Sequence, residues 1–229
     1  MKALLVINPI SGDVDKSTII HKVRQYCAIN DITLDIYKTI GKNDGNHIQN
    51  IYNEHDRVIV AGGDGTIQLV SSALEDTEYI MGIIPAGSAN WLANEILPAE
   101  DIDSSVSRAF SDSFRQIDGV LINDHLSLHL SDIGFNAEMI QNFEESGIRG
   151  FLGYSMEFFN TLSDFAGVFH TTINTEDKKF EGNVMMVAIA NAQKFGNDAI
   201  LNPVGTLDDG LFEIVIIHEV SVTELFKFL

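Results

Sequence analysis

A short apolar run, Val58–Ala61, leads directly into two glycines, an aspartate, a third glycine and a threonine, and the segment RVIVAGGDGTIQLV at 57–70 constrains this chain more than any other. Four consecutive apolar residues bounded by glycine read as a fully buried strand, and IQLVSSALE after the turn has helical spacing. A strand that turns into a helix through Gly62, Gly63 and Gly65 leaves free N–H groups at the helix start and lets a ligand approach the main chain, which suits an anion such as phosphate. Asp64 repels phosphate, so a useful role for it there is to hold Mg²⁺ through water beside a nucleotide. Thr66 adds a hydroxyl. The plainer alternative is a strand-to-helix turn in which Asp64 only caps the helix.

Two further loops have the same character. Asn8-Pro9-Ile10-Ser11-Gly12 follows the apolar run LLVIN, and Pro85-Ala86-Gly87-Ser88-Ala89-Asn90 follows YIMGII and precedes NWLANEIL. Helical and strand spacings alternate through the first ~110 residues, the pattern of βα units on a parallel sheet, so the three loops are expected on one sheet edge and in one crevice. Ser17 and Thr18 are the expected caps of a helix carrying Ile19, Ile20, Val23 and Cys27 on its inner face; ITLDIYKT reads as a strand, and Ile48, Ile51 and Tyr52 mark a short helix. From Phe114 the pattern turns to strands, FRQIDGVLI and HLSLHLSDIGF about an Asn123-Asp124 turn, then FHTTIN, NVMMVAIANA and LFEIVIIHEV. One helix interrupts them, with Phe151, Ser155, Phe158, Leu162 and Phe165 at spacings of three and four and Leu152 and Phe159 alongside. The predicted fold is α/β, a three-layer α/β nucleotide-binding domain over 1–113 followed by a mainly β, sandwich-like domain over 114–229. Ser221 and Glu224 form a capping box with only five residues after it, so the last element is expected to be cut short at Leu229.

Charge and composition exclude several functions. With 14 Lys and Arg against 33 Asp and Glu, a net charge of −19, the chain lacks the basic clusters that nucleic-acid binding needs, and simple electrostatic attachment to an anionic membrane is weakened. A single cysteine, Cys27, forms no internal disulfide, and seven scattered histidines (21, 47, 55, 125, 129, 170 and 218) show no zinc spacing. The absence of a long apolar run and of a cleavable leader points to a cytoplasmic protein. The glycines do not fit a dinucleotide fingerprint, since residue 68 is Gln, nor is there a P-loop or a hydrolase elbow.

The chain resembles the diacylglycerol and sphingosine kinases and their bacterial relatives along its whole length. NPISG resembles their nucleotide loop, GGDGT their signature and IPAGSANWLANEI their third loop; SDIGFNAEMI and NPVGTLDDGLFEIVII resemble motifs of their β-rich second domain. GGDGT alone is shared with NAD kinases and phosphofructokinases. The resemblance implies a kinase moving the γ-phosphate of ATP to a lipid hydroxyl, with ATP between the domains on Asn8, Thr39, Gly62, Gly63, Gly65, Thr66, Gln68 and Ser88, Asp64 organising Mg²⁺, and Asp118 as a further acidic member. It also implies a second, structural Mg²⁺ site from Asp209 with main-chain oxygens of Thr206 and Leu211, although a solvated Asp208-Asp209-Gly210 hairpin fits that turn as well. The expected partners are ATP and a lipid met transiently at a membrane surface, with Phe151, Phe158, Phe159 and Phe165 lining the acyl site; oligomeric state stays open, a homodimer included. Two features depart from the family. Trp91 stands where many members have an aspartate after Asn90, and the Asp-Gly-Glu motif that supplies the general base is absent, so no base is named. NAD, a sugar phosphate, or regulatory nucleotide binding without catalysis are the alternatives.

Overall fold

A computed structural model of the chain describes residues 1–12, 14–98, 101–135, 168–195 and 199–218. It divides into two compact units, Met1–Leu128 and His129–Leu229.

The first unit begins with β1 (Lys2–Ile7), α1 (Lys16–Ile29), β2 (Thr33–Lys38), α2 (Asp44–Tyr52), β3 (Arg57–Gly62), α3 (Asp64–Ala73), β4 (Met81–Pro85), α4 (Trp91–Ile96) and α5 (Ile102–Ala109). The four strands form one parallel sheet in the order β2-β1-β3-β4. Side chains alternate across it. Ala3, Leu5, Ile7, Ile59, Ala61 and Ile84 form a buried core with Ile19, Val23 and Cys27 of α1 and Val106 and Ala109 of α5. Leu4, Val6, Val58 and Val60 point to the other face, where α3 packs on β3 and α2 on α3. A sheet with helices on both faces is the three-layer unit expected from the alternating periodicity. Ile7 is level with Lys38 and Ala61, and Gly62 with Pro85, so the carboxyl ends of all four strands share one edge.

Several local expectations shift. Asp15, rather than Ser17 or Thr18, caps α1: its carboxylate accepts the Ser17 N–H at 2.9 Å and both neighbouring hydroxyls, because an ionised carboxylate is the strongest acceptor of the three. Helix α5, capped by Asp101 through the Ser104 N–H, had no counterpart in the periodicity reading. Of FRQIDGVLI only β5 (Val120–Ile122) is strand. It forms a hairpin with β6 (His125–Ser127) through Asn123 and Asp124, both at positive φ as a tight primed turn requires. That hairpin rests on α3 in the first unit, so the change of periodicity at Phe114 precedes the division between the units.

In the second unit β7 (Leu130–Gly134) joins an antiparallel sheet in the order β13-β10-β7, with β10 Met186–Ala190 and β13 Glu213–Ile217. β8 (Phe169–Asn174) and β9 (Lys179–Val184) form a hairpin, and β11 (Lys194–Phe195) pairs β12 (Ala199–Ile200). HLSLHLSDIGF is thus split between β6 and β7, and NVMMVAIANA between β9 and β10. The aromatic helix with Phe151, Phe158, Phe159 and Phe165, and the Ser221/Glu224 capping box, lie outside the described residues. Among the described residues no helix is long and apolar enough to cross a membrane.

Two buried polar side chains hold the first unit's turns. The Arg57 guanidinium donates to Ala109 O (3.2 Å) and Ser111 O (2.7 Å), closing the end of α5 over β3. The Asp44 carboxylate accepts from the Tyr37 hydroxyl (2.5 Å) and from the N–H groups of Ile40 (3.0 Å) and Gly41 (2.8 Å), fixing the turn after β2. Burial opposes the Asp44 charge, but these three donors outweigh it and hold the carboxyl below its ordinary range. Tyr37 is pushed up to about 12 by burial and by Asp44. Asp44→Ala is expected to cost about 2–4 kcal/mol in urea unfolding, since three donors lose a charged acceptor. Because the folded carboxyl titrates below the unfolded one, its contribution is complete above about pH 5 and is lost as pH falls through the folded value, a part of the acid slope that Asp44→Asn should remove.

Candidate functional site

The order β2-β1-β3-β4 places a topological switch point between β1 and β3, where the chain leaves β1 toward β2 and returns on its other side. Ligands of open α/β sheets bind outside the carboxyl ends at such a point. The three glycine loops follow β1, β3 and β4, and the structure brings them together as expected. Their backbones touch. A Cβ on Gly63 would stand 3.0 Å from Gly87 Cα, and one on Gly87 would overlap Gly63. Gly12, at φ +53°, lies against the Gly87 carbonyl carbon, 2.7 Å from where its Cβ would be. The Ser11 hydroxyl donates to Ala86 O at 3.1 Å.

The third loop is locked by Asn90, left-handed at φ 54°, whose side chain accepts from Gly87 N–H (2.8 Å) and donates to Gly87 O (2.9 Å). Asn90 therefore cannot cap α4, and Asp64 does so instead. Its two carboxylate oxygens accept the N–H groups of Trp91 (3.0 Å) and Leu92 (2.9 Å). The signature aspartate caps a helix, but the one after the third loop rather than its own. A carboxylate has about four lone-pair sites, so this cap leaves capacity toward a metal-bound water.

The remaining expected residues are distributed as follows. Asn8, half-buried, closes its own loop by accepting the Ile10 N–H at 3.1 Å. Thr39 is buried at the end of β2, and its N–H donates to Ile7 O. Gly62 is buried, with Thr66 packed so closely on it that a side chain there would collide with the threonine. Thr66 itself is buried. Gly65 is different: it is exposed, and a Cβ on it meets nothing within 4 Å. Gln68 spends its amide on Ser72 and on Leu126 O, tying the β5–β6 hairpin to α3. Ser88 is exposed in the third loop, and Asp118 is half-buried on the irregular run before β5. In the second unit Thr206, Asp209 and Leu211 are all exposed within one turn, where Asp209 accepts the Leu211 N–H at 2.9 Å and Gly210 takes φ +74°. That loop is anchored by buried Asn202, which donates to Glu213 (2.5 Å) and Ala192 O (3.4 Å).

Among the described residues no three His, Cys, Asp or Glu side chains cluster as a ready-made metal cage. Mg²⁺ beside a nucleotide needs only one or two carboxylates with phosphate oxygens and water, so the single Asp64 fits that use. The unfilled space over Gly65, at the first turn of α3, fits a phosphate cradle.

Residues 2–122 match the diacylglycerol kinase catalytic domain family, more than half of the chain. The chain belongs to this family. Residues 132–229 match the family described as YegS C-terminal NAD kinase beta sandwich-like domain, so the second, mainly β unit belongs to a sandwich-like fold. A diacylglycerol kinase of Bacillus subtilis is 26% identical over 179 residues, covering 76% of this chain and 59% of that protein. A probable lipid kinase YegS-like of Pectobacterium atrosepticum is 28% identical over 177 residues, covering 74% and 58%. The chain spans less than two thirds of the length of these two relatives. A crystal structure of a diacylglycerol kinase from Bacillus anthracis shares the fold, with a TM-score of 0.77 over 99% of this chain and 77% of that one at 22% identity.

Sequence reasoning missed two contributors. Lys16 reaches back into the loop contact, and Asp64 supports α4; a lone lysine and a well-known motif aspartate gave no spacing signal for either. Gly87→Ala is expected to lower the thermal midpoint sharply or prevent folding, because the overlap is with backbone. Asp64→Ala should cost about 1–2 kcal/mol through loss of the cap, read by denaturant unfolding.

Proposed function

We propose that the edge formed by the loops after β1, β3 and β4 binds the phosphates of ATP, and that the kinase family to which this chain belongs is represented here by a lipid kinase moving the γ-phosphate to a lipid hydroxyl. The observation that carries the reading is the open space over Gly65 at the start of α3, among loops otherwise pressed backbone to backbone. A glycine without an internal packing reason, beside N–H groups at a helix start, is what a close phosphate requires. In this reading Asn8, Gly63, Gly65, Thr66 and Ser88 surround the nucleotide, Thr39 and Gln68 support the loops, and Asp64 and Asp118 are the acidic groups toward Mg²⁺. The metal would neutralise charge developing on the phosphates. The protein's part is to hold the phosphate chain in line and exclude competing water. Thr206, Asp209 and Leu211 would provide the separate structural cation site. The names of relatives as diacylglycerol and lipid kinases support a lipid acceptor; the NAD kinase in the name of the second domain's family makes NAD the rival acceptor.

The test is calorimetric titration with ATP, with and without Mg²⁺, beside Asp64→Asn, Gly65→Ala and an NAD control. Magnesium-dependent ATP binding, weakened in Asp64→Asn, is expected. Gly65→Ala should keep or gain stability by up to about 1 kcal/mol, since alanine is the better helix residue, yet lose at least tenfold in ATP affinity. No ATP binding, or a preference for NAD, overturns the reading. A panel of diacylglycerol, sphingosine and NAD as acceptors with labelled ATP then decides the substrate class.

A further inference from the structure

Lys16 opens α1, four residues after Gly12, and its side chain turns back toward the sheet edge. Its ammonium donates to Ser11 O, to Val14 O at 3.1 Å and to Ala86 O at 2.7 Å. An ammonium has three N–H donors, so one side chain can hold carbonyls of both loops at once. Two belong to the loop after β1 and one to the loop after β4, elements 70 residues apart in sequence. The same Ala86 O also accepts from the Ser11 hydroxyl.

We infer that Lys16 is a positioning residue, a clamp that presets the phosphate-binding edge by tying the first loop to the third; the inference rests on the proposed nucleotide site. Two consequences follow from peptide geometry. In a planar trans peptide the C=O and the following N–H point in opposite directions. Drawing Ser11 O and Ala86 O toward the ammonium therefore turns the N–H groups of Gly12 and Gly87 away from it. The Gly87 N–H is then caught by Asn90 at 2.8 Å, and Gly12 is held at φ +53° against the third loop. Ile10 at the tip of the first loop is 84% exposed, and among the described residues the loop's other ties are the Asn8 turn, the Asn8 N–H on Ala61 O, the Ser11 hydroxyl and the packing of Gly12 on Gly87. Ordering such a loop at the moment of binding costs free energy that a preset loop does not lose. The fixed positive charge also lies beside the loops in a chain of net charge −19.

Hydrogen–deuterium exchange on the full chain, wild type beside Lys16→Met and Lys16→Arg, tests the clamp directly. Amides of residues 8–12 and 86–90 should exchange at least tenfold faster in Lys16→Met, with β1 and β3 amides unchanged, and Lys16→Arg should recover part of the protection. Binding separates a preset phosphate edge from general loosening. Mg·ATP and inorganic tripolyphosphate should each lose at least tenfold in affinity in Lys16→Met, while adenosine, followed by saturation-transfer NMR, stays within about twofold. Unchanged loop exchange, or equal losses for adenosine and ATP, overturns the inference. If wild type binds no ATP, the proposed nucleotide site fails, and loop exchange alone decides whether the clamp exists. If Lys16→Met does not fold, Lys16→Gln and Lys16→Arg read by the same exchange measurement decide it.

Discussion

The carboxylate of Asp64, reaching from the first turn of α3 to the N–H groups of Trp91 and Leu92, is the interaction on which the candidate site depends. Helix α4 has only six residues and begins at a left-handed asparagine whose side chain is committed elsewhere. Without an outside acceptor its first N–H groups would have no cap, and so short a helix has little intrinsic stability. By supplying that cap, Asp64 sets the distance between the second and third loops, and Gly63 and Gly87 can then meet without side chains between them. The motif aspartate and the motif glycines are thus one device, whose geometry brings a negative charge, a helix start and a bare backbone to the same sheet edge.

The same economy applies to the loops themselves. The first and third are held by side chains from within them or close to them: Asn8 on Ile10, Asn90 on Gly87, Ser11 and Lys16 on Ala86. These bonds leave the sheet core untouched. β1 and β3 are buried along nearly their whole length, and their strand ends stand level, so the rigid part of the unit fixes where the loops start and local polar bonds fix how they turn.

The architecture of the first unit was legible in sequence because each element carried its own period: the continuous burial of Val58–Ala61, the Ile19/Val23/Cys27 stripe, and the loops that end in glycine or asparagine. Local competition between polar groups was less legible. Ser17 and Thr18 look like caps until Asp15, two and three residues earlier, is seen to outcompete their hydroxyls. Helix α5 escaped because its inner face carries a short stripe, Ile102, Val106 and Ala109, among five serine, aspartate and arginine residues, and its end is fastened by Arg57 from another element. Strand ends in the second unit escaped for a related reason: the bends at Leu128–His129 and Met185 interrupt runs that read as continuous. For the site, residue types that need a special backbone were visible, whereas roles that depend on long-range approach, Asp64 to α4 and Lys16 to Ala86, were not.

In the proposed reading an acidic chain binds a polyanion, and that electrostatic conflict has a short-range solution. Charges separated by more than about 8–10 Å are largely screened at physiological ionic strength, so most of the −19 total acts weakly at the loop edge. There the donors are main-chain N–H groups at a helix start and glycines without side chains, whose strength depends on contact distance rather than on net charge. In the proposed reading the sign problem at Asp64 resolves similarly. Its charge is already engaged by two N–H groups of α4, and what remains faces a divalent cation that the phosphates bring with them. In that reading acidity over the surface and phosphate recognition at one edge are compatible when the edge is preset before the anion arrives, the role proposed for the contacts among Gly12, Gly63, Gly87 and Lys16.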